Sequence, residues 1–235
     1  MPNRGRSPRY LVPNLVTGLN IVLGFGSMIA AADGQPRLAV NLLVAAVFCD
    51  LFDGQLARLL KATSKFGQQM DSLSDAISFG AAPAFLVYRA SLHELGAAGL
   101  ACSVLYLLAG VLRLARFNLT SNEHVKERRT LGVPIPVGAG YLMAATLVRD
   151  LLTPTAVATV AVVMALLMVS TVRLPQMKGN NLVSWMLLVG IANYLAVVVR
   201  PGWPTVLWWN AWNALILLAA WQGERRRDRQ QIGLA

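Results

Sequence analysis

Apolar blocks of about twenty residues recur along the whole chain, separated by short polar or basic stretches. A helix of that length crosses the roughly 30 Å hydrocarbon core of a bilayer. Candidate spans fall at about residues 13–32, 37–60, 69–90, 96–118, 134–150, 153–172, 182–199 and 203–222. The fifth is the weakest, being short and carrying Pro134, Pro136, Gly138 and Gly140. In lipid only helices and closed barrels satisfy every backbone group, and these blocks do not alternate as barrel strands do. The pattern therefore predicts an all-α, polytopic membrane bundle of about eight transmembrane helices. Of the 235 residues, 56% are hydrophobic and 14% charged, which excludes both an ordinary soluble domain and a disordered chain.

The net charge of +10 raises the question of nucleic acid, and its distribution answers it. With the N-terminus inside, every Lys and Arg lies on the inner side except Arg37, Arg89, Arg149 and Arg200. That is the positive-inside bias, with an even number of spans and both termini in the cytoplasm. The basicity is thus topological, with a secondary attraction to anionic headgroups, and no nucleic-acid partner is expected. Residues 1–12 read as a basic interfacial segment, without the pattern of a cleaved leader. The tail from residue 223 reads as a cytoplasmic anchor. Cys49 and Cys102 lie inside spans and are too few for a disulfide framework, so they are expected to be small buried apolar residues. His93 and His124 fall in loops on opposite faces, which indicates no histidine metal site. The tryptophans of "WPTVLWWNAW" (residues 203–212) read as an aromatic belt at the outer boundary.

Against this apolar background, "DLFDGQLARLLKATSKFGQQMDSLSD" (residues 50–75) carries four aspartates. Asp50, Asp53, Gly54, Ala57 and Arg58 are spaced three and four apart, so they share a face of the second span near its inner end. Asp71 and Asp75, four apart, begin the third span. Residues 61–68 between them are polar and contain Gly67, as suits a short turn. Two antiparallel neighbours would then aim four carboxylates at one small gap. A charged aspartate at the centre of a membrane helix costs about 2.5–3.5 kcal/mol. Four close together would also repel one another unless cations stood between them. All-oxygen donors select hard ions, hence Mg²⁺ or Mn²⁺, and four carboxylates suit two such ions clamping a phosphoryl centre. Gly54 and Ala57 leave room beside the carboxylates, and Arg58 offers a fork for phosphate oxygens. The plainer alternatives are that small residues serve helix packing and that Asp71 caps a helix.

The set Asp50, Asp53, Gly54, Ala57, Arg58, Gly67, Asp71 and Asp75 resembles the signature of the CDP-alcohol phosphatidyltransferase family at every fixed position. The resemblance implies a six-helix membrane core, usually dimeric, that moves a phosphatidyl group from a CDP-linked lipid to an alcohol and releases CMP. It implies two divalent cations on the four aspartates, Asp75 as general base, and Gly54, Ala57 and Arg58 against the nucleotide and its phosphates. "VPNLVTGLNIVLGF" (residues 12–25), "RLARFN" (113–118), "LGVPIPVGAGY" (131–141) and "STVRLPQMK" (170–178) are similar to segments of the phosphatidylserine synthase branch of that family. On that resemblance Asn14 and Thr17 contact the CDP moiety, and CDP-diacylglycerol and L-serine are the substrates. The serine carboxylate needs a cation; Arg113 and Arg116, three apart at the inner end of the fourth span with Asn118 beside them, are the candidates. Arginines at such a place also snorkel to lipid phosphates, and polar residues such as Asn14 and Thr17 also bond to neighbouring helices. The expected organisation is a basic segment at 1–12, the core at 13–178, two additional spans at 179–222 and a basic tail at 223–235. Glycerol phosphate, an inositol compound or choline is the alternative acceptor. A divalent-cation transporter is the distant alternative, and it leaves the placement of Gly54, Ala57 and Arg58 unaccounted for.

Overall fold

The computed structural model describes residues 8–121, 131–172 and 181–232. The first residues with Arg4 and Arg6, the loop holding His124, Lys126, Arg128 and Arg129, and most of 170–178 lie outside the described residues. Within them the chain is helical throughout, without a β-strand. The helices are α1 (Pro8–Ala32), α2 (Pro36–Leu59), α3 (Lys65–Asp75), α4 (Ala82–Ala90), α5 (Ala97–Ser121), α6 (Ile135–Leu147), α7 (Pro154–Val169), α8 (Asn181–Val199) and α9 (Trp203–Ile232). A π-helical segment, Ala76–Ala81, joins α3 to α4, so these three form one rod and the described helices make eight rods in all. Three stretches, Leu11–Ala32, Pro36–Leu59 and Ala97–Leu119, are each long and apolar enough to cross a membrane; Ile135–Leu147 and Pro154–Val169 are shorter apolar helices. The last helix does not end at the apolar boundary but runs on through the basic tail to Ile232.

The polarity of the bundle is inverted relative to a soluble protein, and α1 shows it best. Leu15, Val22 and Phe25 are about 60% exposed, whereas Thr17, Asn20 and Ser27 are buried. An outward apolar stripe with polar groups turned inward is stable only where the surroundings are hydrocarbon. The chain is an integral membrane protein. α1 and α2 pack along most of their length as an antiparallel hairpin. The turn between them is closed by Gly34 at φ 71°, with the Gln35 N–H donating to the Ala30 carbonyl at 2.9 Å.

Two buried layers meet at the broken rod. On one side Ala82 and Leu86 of α4 pack with Ala30, Ala39, Val40 and Leu43 of the α1–α2 hairpin. On the other, Phe79, Tyr106, Ile135, Leu142 and Met168 bring the π segment, α5, α6 and α7 together. Small residues set these approaches: a methyl on Gly24 would strike Ser78, and one on Gly110 would strike Ile135. α8 and α9 dock on α6 through Trp209, whose ring lies 4.7 Å from that of Tyr141 and 5.2 Å from that of Tyr194. The aromatic-belt expectation therefore suits Trp203 and Trp208, which are exposed, but not Trp209, which is buried over Gly140. Cys49 and Cys102 are free thiols and only half-buried.

Candidate active site

The α2–α3 turn is tighter than its polar composition implies. α2 closes with Lys61 in the left-handed region at φ 50°, its successor Ala62 donating to the Ala57 carbonyl at 2.8 Å. Ser64 then caps α3, its hydroxyl accepting from the Gly67 N–H at 3.0 Å. Because the cap lies at Ser64, Gly67 sits in the first turn of α3 rather than in the loop. The short turn holds the end of α2 against the start of α3, which is what brings the acidic residues together.

One carboxylate oxygen from each of Asp50, Asp53 and Asp71 lies within 4.8 Å of the others. Asp75, one turn further along α3, turns its carboxyl towards that of Asp50. Its Oδ1 is buried and has no hydrogen-bond partner among the described residues. Converging carboxyl oxygens of this kind form the donor set of a hard divalent ion. The residues present fit such an ion. Asp53 is buried and fixed by α1: the Thr17 hydroxyl donates to its Oδ2 at 2.7 Å. Thr17 thus meets a carboxylate, while Asn14, one turn earlier, is half-buried with its Oδ1 beside Gly67. Two further bonds hold α1 to the acidic rod, from Ser74 Oγ to the Thr17 carbonyl at 3.4 Å and from Ser78 Oγ to the Asn20 carbonyl at 3.0 Å.

Next to the carboxylates, the face of α2 is open. Among the described residues, nothing lies within 4 Å of a methyl built on Gly54, so this glycine serves no helix packing with them. Ala57 is half-buried and Arg58 exposed along the same face. Gly54 and Arg58 thus leave an open strip that runs from the acidic cluster towards the α2 terminus.

The three candidates on α5 differ sharply in their surroundings. Arg113 is 9% exposed, its Nε has no partner, and the charge of Asp75 acts on it. Arg116 donates to four backbone carbonyls: Val169 at 3.0 Å, Leu131 and Ser170 at 3.2 Å, and Met168 at 3.3 Å. A helix leaves its last carbonyls without donors, and a cation at that end also suits its dipole. The clasp is completed by the N–H groups of Gly132 and Val133, which donate to the carbonyls of Val172 and Leu167 at 3.0 and 3.1 Å. Gly132, at φ 70°, admits no side chain there, because one would run into the Met168 carbonyl. Asn118 exchanges hydrogen bonds with Ser72 of α3, its Nδ2 donating at 3.1 Å and its Oδ1 accepting at 3.2 Å. Sequence reasoning missed Ser72 and this clasp; the signal available was the grouping of RLARFN, LGVP and STV in three separate segments.

A model of the CDP-alcohol phosphatidyltransferase family matches residues 10–172. The chain belongs to that family. The match covers all four aspartates, the open face of α2 and the Arg116 clasp. Among curated proteins, a CDP-diacylglycerol–serine O-phosphatidyltransferase of Helicobacter pylori (strain ATCC 700392 / 26695) is 36% identical over 204 residues, covering 83% of this chain and 84% of its own. The Bacillus subtilis (strain 168) protein of the same name is 31% identical over 169 residues, 72% of this chain and 92% of its own. An archaetidylserine synthase of Methanothermobacter thermautotrophicus is 33% identical over 170 residues, 72% of this chain and 71% of its own. As a member of this family the chain is a phosphatidyltransferase of the membrane.

Proposed function

We propose that this enzyme transfers the phosphatidyl group of CDP-diacylglycerol to the hydroxyl of L-serine, giving phosphatidylserine and CMP. The observation that carries the reading is a buried arginine, Arg113, set within the field of Asp75, at the edge of a carboxylate cluster whose neighbouring helix face stands open at Gly54. An acceptor with its own carboxylate answers to a buried guanidinium, and a diphosphate answers to the cluster and the open strip. The relatives named above include proteins named for diacyl and for archaeal lipids, and serine recurs in their names while the lipid changes.

Asp50, Asp53, Asp71 and Asp75 would hold two divalent cations, Mg²⁺ or Mn²⁺. When bound, such ions neutralise the diphosphate and stabilise CMP as the leaving group. Thr17 keeps Asp53 turned into the cluster, and Asn14, Gly54, Ala57 and Arg58 line the path of the CDP moiety. Arg113 receives the serine carboxylate and so orients the hydroxyl. Asp75 accepts the hydroxyl proton as the serine oxygen bonds to the phosphatidyl phosphorus and the bond from that phosphorus to the CMP oxygen breaks. Arg116 and Asn118, already engaged with α7 and α3, shape the acceptor side by holding α5 in place. The acyl chains of the donor remain in the bilayer, and the site and both termini face the cytoplasm.

The test is the acceptor dependence of CMP release. Purified protein with CDP-diacylglycerol and Mn²⁺ or Mg²⁺ is given serine, glycerol phosphate, inositol phosphate or choline in parallel. Serine should drive CMP release and form phosphatidylserine. Faster release with another alcohol would overturn the acceptor, and metal flux into liposomes without CMP release would overturn the reaction.

A further inference from the structure

The π segment that follows Asp75 takes a hydrogen bond from outside its own rod. Ala82 donates its N–H to the carbonyl of Ile77, five residues back. Pro83, next in line, has no N–H to give. The Phe79 carbonyl, four residues before Pro83, is thereby deprived of its ordinary helical donor. The hydroxyl of Tyr106 on α5 takes that place, donating to Phe79 at 2.9 Å. Tyr106 is 0% exposed, and its ring lies against Gly138 of α6, so it has no freedom to seek another partner.

A widened turn changes the register of everything beyond it. One extra residue in a helix rotates the following side chains by about 100° relative to those before. Below the π segment the rod presents Asp71 and Asp75 to α2. Above it, the rod presents Ala82 and Leu86 to the buried layer of the α1–α2 hairpin. The wide turn lets both faces be right at once. α5 grips the acidic stretch at its two ends, through Asn118 and Ser72 below and through Tyr106 and Phe79 above.

We propose that Tyr106 is a positioning residue for Asp75: its bond to the Phe79 carbonyl keeps the turn wide and so fixes the angle at which Asp75 meets Asp50 and the acceptor. The role of Asp75 in this inference rests on the functional reading above. Tyr106→Phe removes one hydroxyl and keeps the ring. Assayed well below the unfolding temperature, it should lower kcat by about tenfold or more, because small misplacements of a reacting group are costly. The KM values for serine and CDP-diacylglycerol should stay within about twofold. Mn²⁺ affinity, read by electron paramagnetic resonance without substrate, should fall severalfold. A second variant separates register from mere stability. Tyr106→Phe combined with Pro83→Ala restores an N–H that can serve Phe79 by closing the turn to an ordinary α-helix. It should regain thermal stability and leave kcat low. Recovery of full kcat in the double variant, or wild-type kcat and Mn²⁺ affinity in Tyr106→Phe, would overturn the inference. If the wild-type protein released no CMP, the functional reading would fall instead, and the Mn²⁺ measurement would still decide whether Tyr106 shapes the carboxylate cluster.

Discussion

Two neighbouring regions of the bundle treat their polar groups in opposite ways. In the clasp, Arg116 serves four carbonyls and the N–H groups of Gly132 and Val133 serve two more, so the end of α7 is closed by the protein itself. Across α5, the carboxylate side keeps groups open: among the described residues Asp75 Oδ1 and Arg113 Nε are buried without partners, and nothing stands against Gly54. Buried polar groups normally find partners, and an unpaired one costs about 1–3 kcal/mol. Other buried groups also lack partners, among them Ser27 Oγ and Tyr194 Oη, but Asp75 Oδ1 and Arg113 Nε are the two on the carboxylate side, where a substrate would pair them. Three positions apart on one helix, Arg116 is bound to backbone and Arg113 is left unpartnered at Nε.

That contrast can be broken most severely at the cluster. Asp71→Asn keeps the shape and removes a charge, and it should lower CMP release by about a thousandfold, several kcal/mol of lost metal-centred stabilisation. Its unfolding temperature should not fall; a variant with wild-type turnover would remove the cluster from the mechanism. Next comes the pair of arginines. Arg113→Lys keeps the charge but loses the planar fork. It should cost about 3 kcal/mol in kcat/KM for serine, on the order of a hundredfold, with little change in the KM of the lipid donor. Arg116→Lys cannot reach four carbonyls at once, and should lower stability by about 2 kcal/mol, a shift of several degrees in Tm. With serine its KM should move less than threefold, roughly within ordinary scatter for a residue outside the site. Reversed effects would exchange the roles of the two residues. The smallest expected change is at Gly54. Gly54→Leu fills space that none of the described residues occupies, so Tm should hold while the KM for CDP-diacylglycerol rises by roughly tenfold through steric exclusion alone. An unchanged KM would mean that the open strip is not the path of the donor.

The spans and the acidic motif were legible because both are local patterns. Twenty apolar residues demand a bilayer, and carboxylates at three- and four-residue spacings share a helix face, whatever else the chain does. Other features were legible only in part. Residues 69–90 read as one continuous span, and the break at Ala76–Ala81 escaped notice because a π segment has no compositional mark of its own; Pro83 was the sole hint. Gly67 read as a turn residue because glycine punctuates loops, whereas the Ser64 cap starts the helix before it. The tryptophans read alike in sequence, yet Trp209 turns inward because Gly140 on another helix leaves room for its ring.

Sequence alone determined the solvent of this protein, its helical class, and the eight-residue motif that joins acid, space and guanidinium on adjoining helices. Those follow from hydropathy and helical periodicity, which act within about twenty residues. Which arginine is bound to backbone and which is left free of it at Nε, which threonine fixes Asp53, and which tyrosine replaces the hydrogen bond that Pro83 removes were decided by tertiary structure. Each depends on which faces of separate helices meet, and a pairing across 27 or 52 residues leaves no local trace in the chain.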